Sequence, residues 1–545
     1  MLIKNGVLPF CNPGTGEQFG SVPMTTEAEI AQAMAHLRTT FPVWKKKTPK
    51  ERARVLKKLQ EKLIDYADEI AAVINQDNGK SRQSAMSEVF LVADKLNSYR
   101  KHAHRWLKPE PVPPGLYNFK RYYSRPEPYG VVAVIGPWNY PIDLTIPPVF
   151  AALLAGNTVI LKPSEVTAAT GVLIEKLFQS VPELAPFVRV IHGDGSVGAA
   201  LVQSGPDLVF LTGSTNTGRK VAQATAELMI PFICELGGKD PMLVLEDADI
   251  QEAARWGAWG SFFNAGQNCI AVERMYVVEA VYEKFLQAFL EETRNYTVGY
   301  SMEKENPYNF GPLTFDRQVN IVDDHLQDAL DKGAQIALGG QRNGMFMEPT
   351  ILTHVHHGMK IMQEETFGPV VPVMKVKDEA EAVQLANHSR FGLSACVWSR
   401  DLQRAERIAE QLEVGSVVVN DTIAHYAVAL MPFGGMKESG NARTHGKYDV
   451  RQFTRTKAFG IAHKPYAADV ATIVRKPNRY YVMSAMVHML FGVTLRQRLR
   501  MIPELAQQAK METPKPKPGR VLVSAGAFAA LSALVFGLFR VHKDR

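Results

Sequence analysis

The sequence predicts an α/β protein built on parallel sheets covered by helices, with a single transmembrane helix at its C-terminus. Three observations predict it. Short β-branched runs alternate with helix-period segments from about residue 130 to residue 419, an amphipathic stretch with charged faces precedes them, and 19 uncharged residues occupy 521–539.

In chain order, the stretch from about Thr26 to Leu107 repeats apolar positions at helical spacing beneath long charged faces, as in ERARVLKKLQEKLIDYADEIAAVI, and predicts several packed helices. The proline-rich residues 108–130 break that period and predict a linker or an extended arm containing a short strand. VVAVIG, TVILK, FVRVIHG, DLVFLTG and FICELGG then alternate with helical segments such as LTIPPVFAALLAGN and TGRKVAQATAELM. Strands this apolar are covered on both faces, so they predict a parallel sheet whose strand ends hold a ligand. From Pro241 to about Val419 a second α/β stretch carries RMYVVE, VVPVMKV and SACVWS as strands.

The run VLVSAGAFAALSALVFGLF at 521–539 would span about 28 Å as a helix, close to the thickness of a hydrocarbon core. It follows the METPKPKPG linker and is flanked by Lys517, Arg520, Arg540, Lys543 and Arg545, which predicts a tail anchor. Upstream, the apolar segment 482–495 precedes Arg496, Arg498 and Arg500. It reads as a membrane-surface segment, as a cap on a substrate tunnel or as a domain-packing helix.

Composition excludes several classes. The apolar and charged fractions, 46% and 21%, are those of a globular protein. The net charge of +7 is uneven: residues 471–545 hold 13 Lys/Arg against 3 Asp/Glu, leaving 49 basic and 52 acidic residues before them. Positive charge beside an apolar tail points to membrane lipid, not to nucleic acid. Cys11, Cys234, Cys269 and Cys396 have neither disulfide-framework nor zinc spacing. The N-terminus lacks a signal-peptide core, so the body is expected in the reducing cytosol. No metal is expected either: His354, His356 and His357 stand without a carboxylate or cysteine at ligand spacing and read as a polar turn. GDGSVG at 193–198 fits a dinucleotide fingerprint formally, yet the following strand ends in Leu211-Thr212-Gly213 without the acidic partner.

The chemistry concentrates in FFNAGQNCIAVERMYV, where Cys269 follows a helix end in a glycine-containing loop. Backbone N–H dipoles there favour the thiolate. FICELGGKDP puts Glu235 at a strand end, where a carboxylate can act as general base. ELGGK and GQNC, with Cys269 34 positions after Glu235, resemble the aldehyde dehydrogenase superfamily. GPWNYP (Trp138, Asn139), LKPSE (Lys162, Glu165), FLTGSTNTG (Gly213, Ser214, Gly218), EETFGPV (Glu365, Phe367) and PFGGMKESG from Pro432 extend that resemblance, in family order, over about five-sixths of the chain.

The resemblance implies an aldehyde dehydrogenase-like fold: a Rossmann-type NAD-binding domain (1–107 and 129–236) and an α/β catalytic domain (237–448). It also implies an oligomerisation arm (108–128 and 449–470), followed by a basic linker region (471–520) and the anchor (521–539). It implies that Cys269 attacks an aldehyde, that the Asn139 amide and the Cys269 N–H hold the oxyanion, and that Glu235 activates the hydrolytic water. Glu235 marks the free-acid subclass over the coenzyme-A-acylating one. For the cofactor, Lys162 and Glu165 are implied at the adenosine ribose and Gly213, Ser214 and Gly218 near the pyrophosphate. Glu365 is implied at the nicotinamide ribose, with Phe367 against the nicotinamide, and Trp138 is implied as a further cofactor-binding residue. Glu165 would repel a 2′-phosphate, which favours NAD, with NADP as the alternative.

Arg455 stands where many hydrolytic relatives carry a glutamate, which puts any proton-relay role of that residue in doubt here. The likeness is to membrane-anchored enzymes resembling fatty aldehyde dehydrogenase, with medium- or long-chain lipid-derived aldehydes as substrates. It implies a homo-oligomer, dimer or tetramer, anchored at the endoplasmic reticulum, with the outer mitochondrial membrane or the peroxisome as alternatives. A betaine- or amino-aldehyde dehydrogenase is the competing enzyme reading, and a non-catalytic membrane scaffold the competing class.

Overall fold

Thr26 and Thr48 each close a capping box with the glutamate three residues on, Glu29 and Glu51, and so start the helices Glu27–Lys46 and Pro49–Asp65. They belong to a computed structural model that describes residues 6–115, 120–462, 479–504 and 507. Helices Ala67–Asn78 and Arg82–Trp106 complete the helical region expected from 26–107. Leu56, Leu59, Leu63, Val92, Leu96 and Tyr99 are fully buried in the same core as helix Ile146–Ala155, in which all 10 residues are buried. Trp44 Nε1 and Arg52 Nε donate to the Leu153 and Leu154 carbonyls at 2.9 and 2.8 Å, tying the first two helices to the last turn of helix Ile146–Ala155.

Five parallel strands form the first sheet: β1 (Val131–Ile135), β2 (Thr158–Lys162), β3 (Val188–Val190), β4 (Leu208–Thr212) and β5 (Phe232–Glu235), in the order β3-β2-β1-β4-β5. The order reverses on either side of β1, which leaves a crevice at the carboxyl ends, where ligands bind in open α/β sheets. The second sheet has seven strands: β6 (Asp240–Val244), β7 (Val272–Val278), β8 (Gln335–Leu338), β9 (Thr350–Thr353), β10 (Val370–Val376), β11 (Ser394–Trp398) and β12 (Ser416–Val419). Their order is β8-β9-β10-β7-β6-β11-β12, parallel except for the edge pair β8 and β9.

The join between the sheets sets the site. β5 ends at Glu235 and β6 begins at Asp240, while β6 and β7 pair in parallel with Asp240 opposite Val272. The amino ends of β6 and β7 are therefore neighbours, and the loop that carries Cys269 into β7 is brought beside the strand end that carries Glu235.

These elements lie in one compact unit, Met1–Val112 with Tyr123–Phe459. The other unit takes in Pro113–Tyr122 and Gly460–Arg545; its described part contains helices Arg479–Phe491 and Leu495–Leu499. Tyr480, Met483, Val487 and Phe491 are exposed there. The expected membrane span, 521–539, lies outside the described residues, and among the described residues no helix is long and apolar enough to cross a membrane.

Asn157, fully buried, ties three segments: its Oδ1 accepts from the Gly130 N–H at 3.1 Å and its Nδ2 donates to the Ala152 and Phe453 carbonyls at 3.0 and 2.9 Å. Asn157→Ala leaves a buried N–H unpaired, and urea denaturation should show a loss of about 2–3 kcal/mol.

Candidate active site

Helix Ile250–Phe262 stops where Asn264 and Ala265 take left-handed φ values of 55° and 57°, followed by Gly266 at 68°. A Cβ on Gly266 would lie 2.3 Å from the Gly368 carbonyl oxygen, so no larger residue fits the turn. Buried Gln267 fastens it: its Nε2 donates to the Asn264 and Pro312 carbonyls at 3.2 and 3.4 Å, and its Oε1 accepts from the Thr314 N–H at 2.9 Å. Cys269 emerges half-buried at a cavity of about 150 Å³. Cys234 and Cys396 are buried, and neither they nor Cys11 line that cavity.

Asn139, in the loop after β1, sits across from this turn, its Nδ2 donating to the Gln267 carbonyl at 3.2 Å. The loop is held from behind by groups that sequence reading did not single out. Lys80 Nζ donates to the Asn139 carbonyl at 2.7 Å and pairs with Glu88 at 2.9 Å; both side chains are almost wholly buried. Glu88 Oε1 accepts from the Ile142 and Asp143 N–H groups at 2.9 and 3.0 Å, and Asn78 Nδ2 donates to the Trp138 carbonyl at 3.0 Å. Lys80 and Glu88 lie on or beside a helix remote in sequence from the loop they fix, so no local pattern reveals them.

A second buried pair holds the opposite wall. Lys239 and Glu273 meet at 2.6 Å, and Glu273 also accepts from the Thr366 and Phe367 N–H groups at 2.9 and 2.8 Å. Phe367, at φ 53°, packs edge-on against Trp138 with ring centroids 5.5 Å apart. Glu365 accepts from the Gly238 N–H at 3.2 Å, and a Cβ on Gly237 would come within 2.2 Å of its carboxylate oxygens. The paired glycines of ELGGK thus let this carboxyl group approach the backbone.

The electrostatics add a contribution that the local sequence does not show. Burial pushes the Cys269 thiol well above its usual pKa, and Glu235, Asp240 and Glu365 push it further; its own backbone N–H opposes them without prevailing. Desolvation and the neighbouring carboxyl groups thus work against the loop dipoles that favour the thiolate. Glu235 is 3% exposed, its Oε1 has no hydrogen-bond partner, and burial together with Glu365 raises its pKa to about 8. Glu365 is also raised to about 8, by burial first and Glu273 second.

Eight of the residues named from the sequence line this one cavity: Trp138, Asn139, Gly213, Ser214, Glu235, Cys269, Glu365 and Phe367. Lys162, Glu165 and Gly218 do not. Lys162 ends β2 on the same carboxyl edge and meets Glu165 at 3.3 Å. Gly218 lies in helix Thr215–Glu227, where a Cβ would strike Leu236 at 2.8 Å. Ser214 caps that helix, whose first N–H groups suit a phosphate. The rival turn at 193–198 is closed instead by the Asp194 carboxylate, which accepts from the Ser196 N–H at 2.9 Å and occupies the helix start. A dinucleotide fits the first location: a glycine turn, a helix start, an unpartnered carboxyl oxygen and two aromatic rings converge there. Among the described residues no group of His, Cys, Asp and Glu could hold a metal ion, and His357 instead accepts or donates at 2.8 Å to Tyr276 Oη.

Residues 4–459 match the model of the aldehyde dehydrogenase family. The chain is 42% identical over 446 residues to a 4,4′-diapolycopene aldehyde oxidase of Methylomonas sp., covering 81% of this chain and 83% of that one. It is 34% identical over 452 residues to the NADP(+) succinate-semialdehyde dehydrogenase of Escherichia coli K12, covering 82% and 92%. The crystal structure of Staphylococcus aureus betaine aldehyde dehydrogenase in complex with NAD+ superposes with a TM-score of 0.80 at 29% identity, covering 85% of this chain and 93% of that one.

Two outcomes follow from the geometry. A carboxyl group acts as a base only when ionised, so with Glu235 and Glu365 titrating as a pair near pH 8, turnover should climb between about pH 7 and about pH 9. A profile already flat at neutral pH contradicts the assignment. Lys80→Met strands the Glu88 carboxylate in the interior and should cost about 3–5 kcal/mol in denaturant unfolding.

Proposed function

The chain belongs to the aldehyde dehydrogenase family and is an NAD(P)-dependent aldehyde dehydrogenase; from that premise we propose that it oxidises medium- or long-chain, lipid-derived aldehydes to free acids at a membrane, with NAD preferred. The observation that carries the reaction is the convergence of Cys269, Asn139 and Glu235 on one cavity. Cys269, once deprotonated, adds to the aldehyde carbon. Asn139 keeps one amide hydrogen on the Gln267 carbonyl and has a second to give the oxyanion, alongside the Cys269 N–H. Bound NAD(P)+ would supply the hydride acceptor for that carbon and a positive charge in a cavity walled by carboxyl groups. Glu235 takes a proton from water, the new C–O bond forms as the C–S bond breaks, and the acid leaves. This hydrolytic role of Glu235 makes coenzyme A unnecessary.

Lys162 and Glu165, which pair at 3.3 Å, are assigned to the adenosine ribose, where a carboxylate would repel a 2′-phosphate. Gly213, Ser214 and Gly218 are assigned to the pyrophosphate side, and Glu365, Phe367 and Trp138 to the nicotinamide end.

The lipid-derived substrate is supported by the surroundings of the sulfur. Cys269 packs with Trp259, Phe263 and Tyr426 against buried Ile270, Leu393, Ile423 and Phe433. That wall suits a hydrocarbon chain. The diapolycopene aldehyde named for the Methylomonas relative is consistent with it. The same aromatic faces would also receive a quaternary ammonium group, which keeps a betaine- or amino-aldehyde as the second reading. The anchor at 521–539, the endoplasmic reticulum as its membrane and a homo-oligomeric state complete the proposal. Anchoring places the body where apolar aldehydes concentrate.

NADH formation across straight-chain aldehydes of increasing length tests it. Each buried methylene is worth up to about 0.8 kcal/mol, so kcat/KM should rise by as much as roughly 4-fold per added carbon while the wall continues. Cys269→Ala should abolish NADH formation. Rates indifferent to length, or highest with betaine aldehyde, contradict the substrate assignment.

A further inference from the structure

Helix Arg479–Phe491 turns its large apolar side chains outward. Tyr480, Met483, Val487 and Phe491 follow one another at intervals of 3, 4 and 4 residues, which stacks them on one face over three turns. They are 74%, 48%, 52% and 68% exposed, whereas Ala485 is buried. Ala485 stands about 140° round the helix from Tyr480. A helix on a water-facing surface buries its apolar stripe and shows its polar one. Here the small residue faces in and the large apolar ones face out.

The exposed apolar surface continues past the helix. A Cβ on Gly492 would lie 2.5 Å from the His488 carbonyl oxygen, so glycine makes the corner possible. Thr494 then closes a capping box with Gln497 and starts helix Leu495–Leu499. Val493, Leu495, Leu499 and Ile502 are exposed, and so are Arg496, Arg498 and Arg500 interleaved with them. From Tyr480 to Ile502 the chain contains no Asp or Glu. Eight large apolar side chains exposed in one short stretch mark an interaction surface.

The charges decide what covers it. A second copy seated face to face would bring the arginines of both chains together, with no carboxylate in the stretch to offset them. A bilayer surface offers both complements in one layer: acyl chains for the apolar face, and anionic phosphate groups for guanidinium groups that reach up from it. The 18 residues between Ile502 and Val521 extend at most about 65 Å, so a span at 521–539 would tether this stretch close to its own membrane.

We propose that residues 480–502 are a second membrane contact, an in-plane element that seats Tyr480, Met483, Val487 and Phe491 among acyl chains and Arg496, Arg498 and Arg500 on anionic phospholipid headgroups. The inference rests on the membrane setting of the proposed function and is independent of its substrate class. The contact depends on lipid charge and on salt, whereas insertion of a hydrocarbon span does not.

The test dilutes the full-length protein from detergent onto vesicles of phosphatidylcholine alone or with about one third phosphatidylglycerol. Flotation reports binding, and hydrogen exchange of the peptides covering 480–502, read by mass, reports this contact. An anionic surface strengthens binding about fivefold per arginine, so exchange across 480–502 should be roughly 10-fold or more slower on the anionic vesicles, and about 0.5 M salt should erase the difference. Arg496→Glu, Arg498→Glu and Arg500→Glu together should abolish it, and Val487→Ser with Phe491→Ser should leave exchange fast on both vesicles. Equal exchange on the two vesicles overturns the proposal; if the chain still floats with both, the span at 521–539 stands. Flotation with the anionic vesicles alone supports the proposal and counts against the span, and flotation with neither overturns both. Exchange equally slow without lipid also overturns it: a second copy covers the face if the protection deepens with protein concentration, and the chain covers itself if it does not.

Discussion

Burial of carboxyl groups around one sulfur atom governs this site. Cys269, Glu235, Glu365 and Asp240 all have pKa values raised first by burial, and their mutual repulsion works in the same direction. Each of these groups must give up a proton before it can act as nucleophile or base, and the surroundings make that proton harder to lose. This makes proton management, more than nucleophile strength, the central problem the fold has to solve.

The groups stay in place because buried ion pairs hold the loops that carry them. Lys80–Glu88 grips the backbone at Asn139, and Lys239–Glu273 grips the backbone at Thr366 and Phe367. Lys95–Asp143 orients Tyr426, which packs at the wall beside Cys269. Such pairs add little net stability over apolar packing, but each carboxylate here accepts hydrogen bonds from loop N–H or O–H groups, so each pair fixes geometry. The left-handed run Asn264-Ala265-Gly266 serves the same end, turning the chain so that Cys269 faces Asn139.

Much of this was legible in the sequence, for physical reasons that differ from part to part. The two parallel sheets were readable because strands buried on both faces are nearly uniformly apolar, as in DLVFLT and VVPVMKV. Cys269, Glu235 and the glycines of ELGGK lie in short contiguous motifs, and the close approach of Glu365 to Gly237 explains why those glycines are there. What escaped were interactions between residues far apart in the chain. Lys95 and Asp143, or Tyr426 and Asp143, are ordinary residues until the fold brings them together. The electrostatic surroundings of Cys269 escaped for the same reason: the loop dipoles are local and visible, whereas the carboxyl groups of residues 235, 240 and 365 converge only in three dimensions.

The account is tested most directly by the rate at which iodoacetamide alkylates Cys269, read by peptide mass across pH in the resting enzyme. It predicts modification at Cys269 that is slow at neutral pH and still accelerating above the ordinary free-thiol value of about 8.5, with Glu235→Gln moving the rise to lower pH. A rate that has already levelled off at neutral pH, or one that Glu235→Gln leaves where it was, would mean that the sulfur rests ionised and that burial among carboxyl groups does not control it.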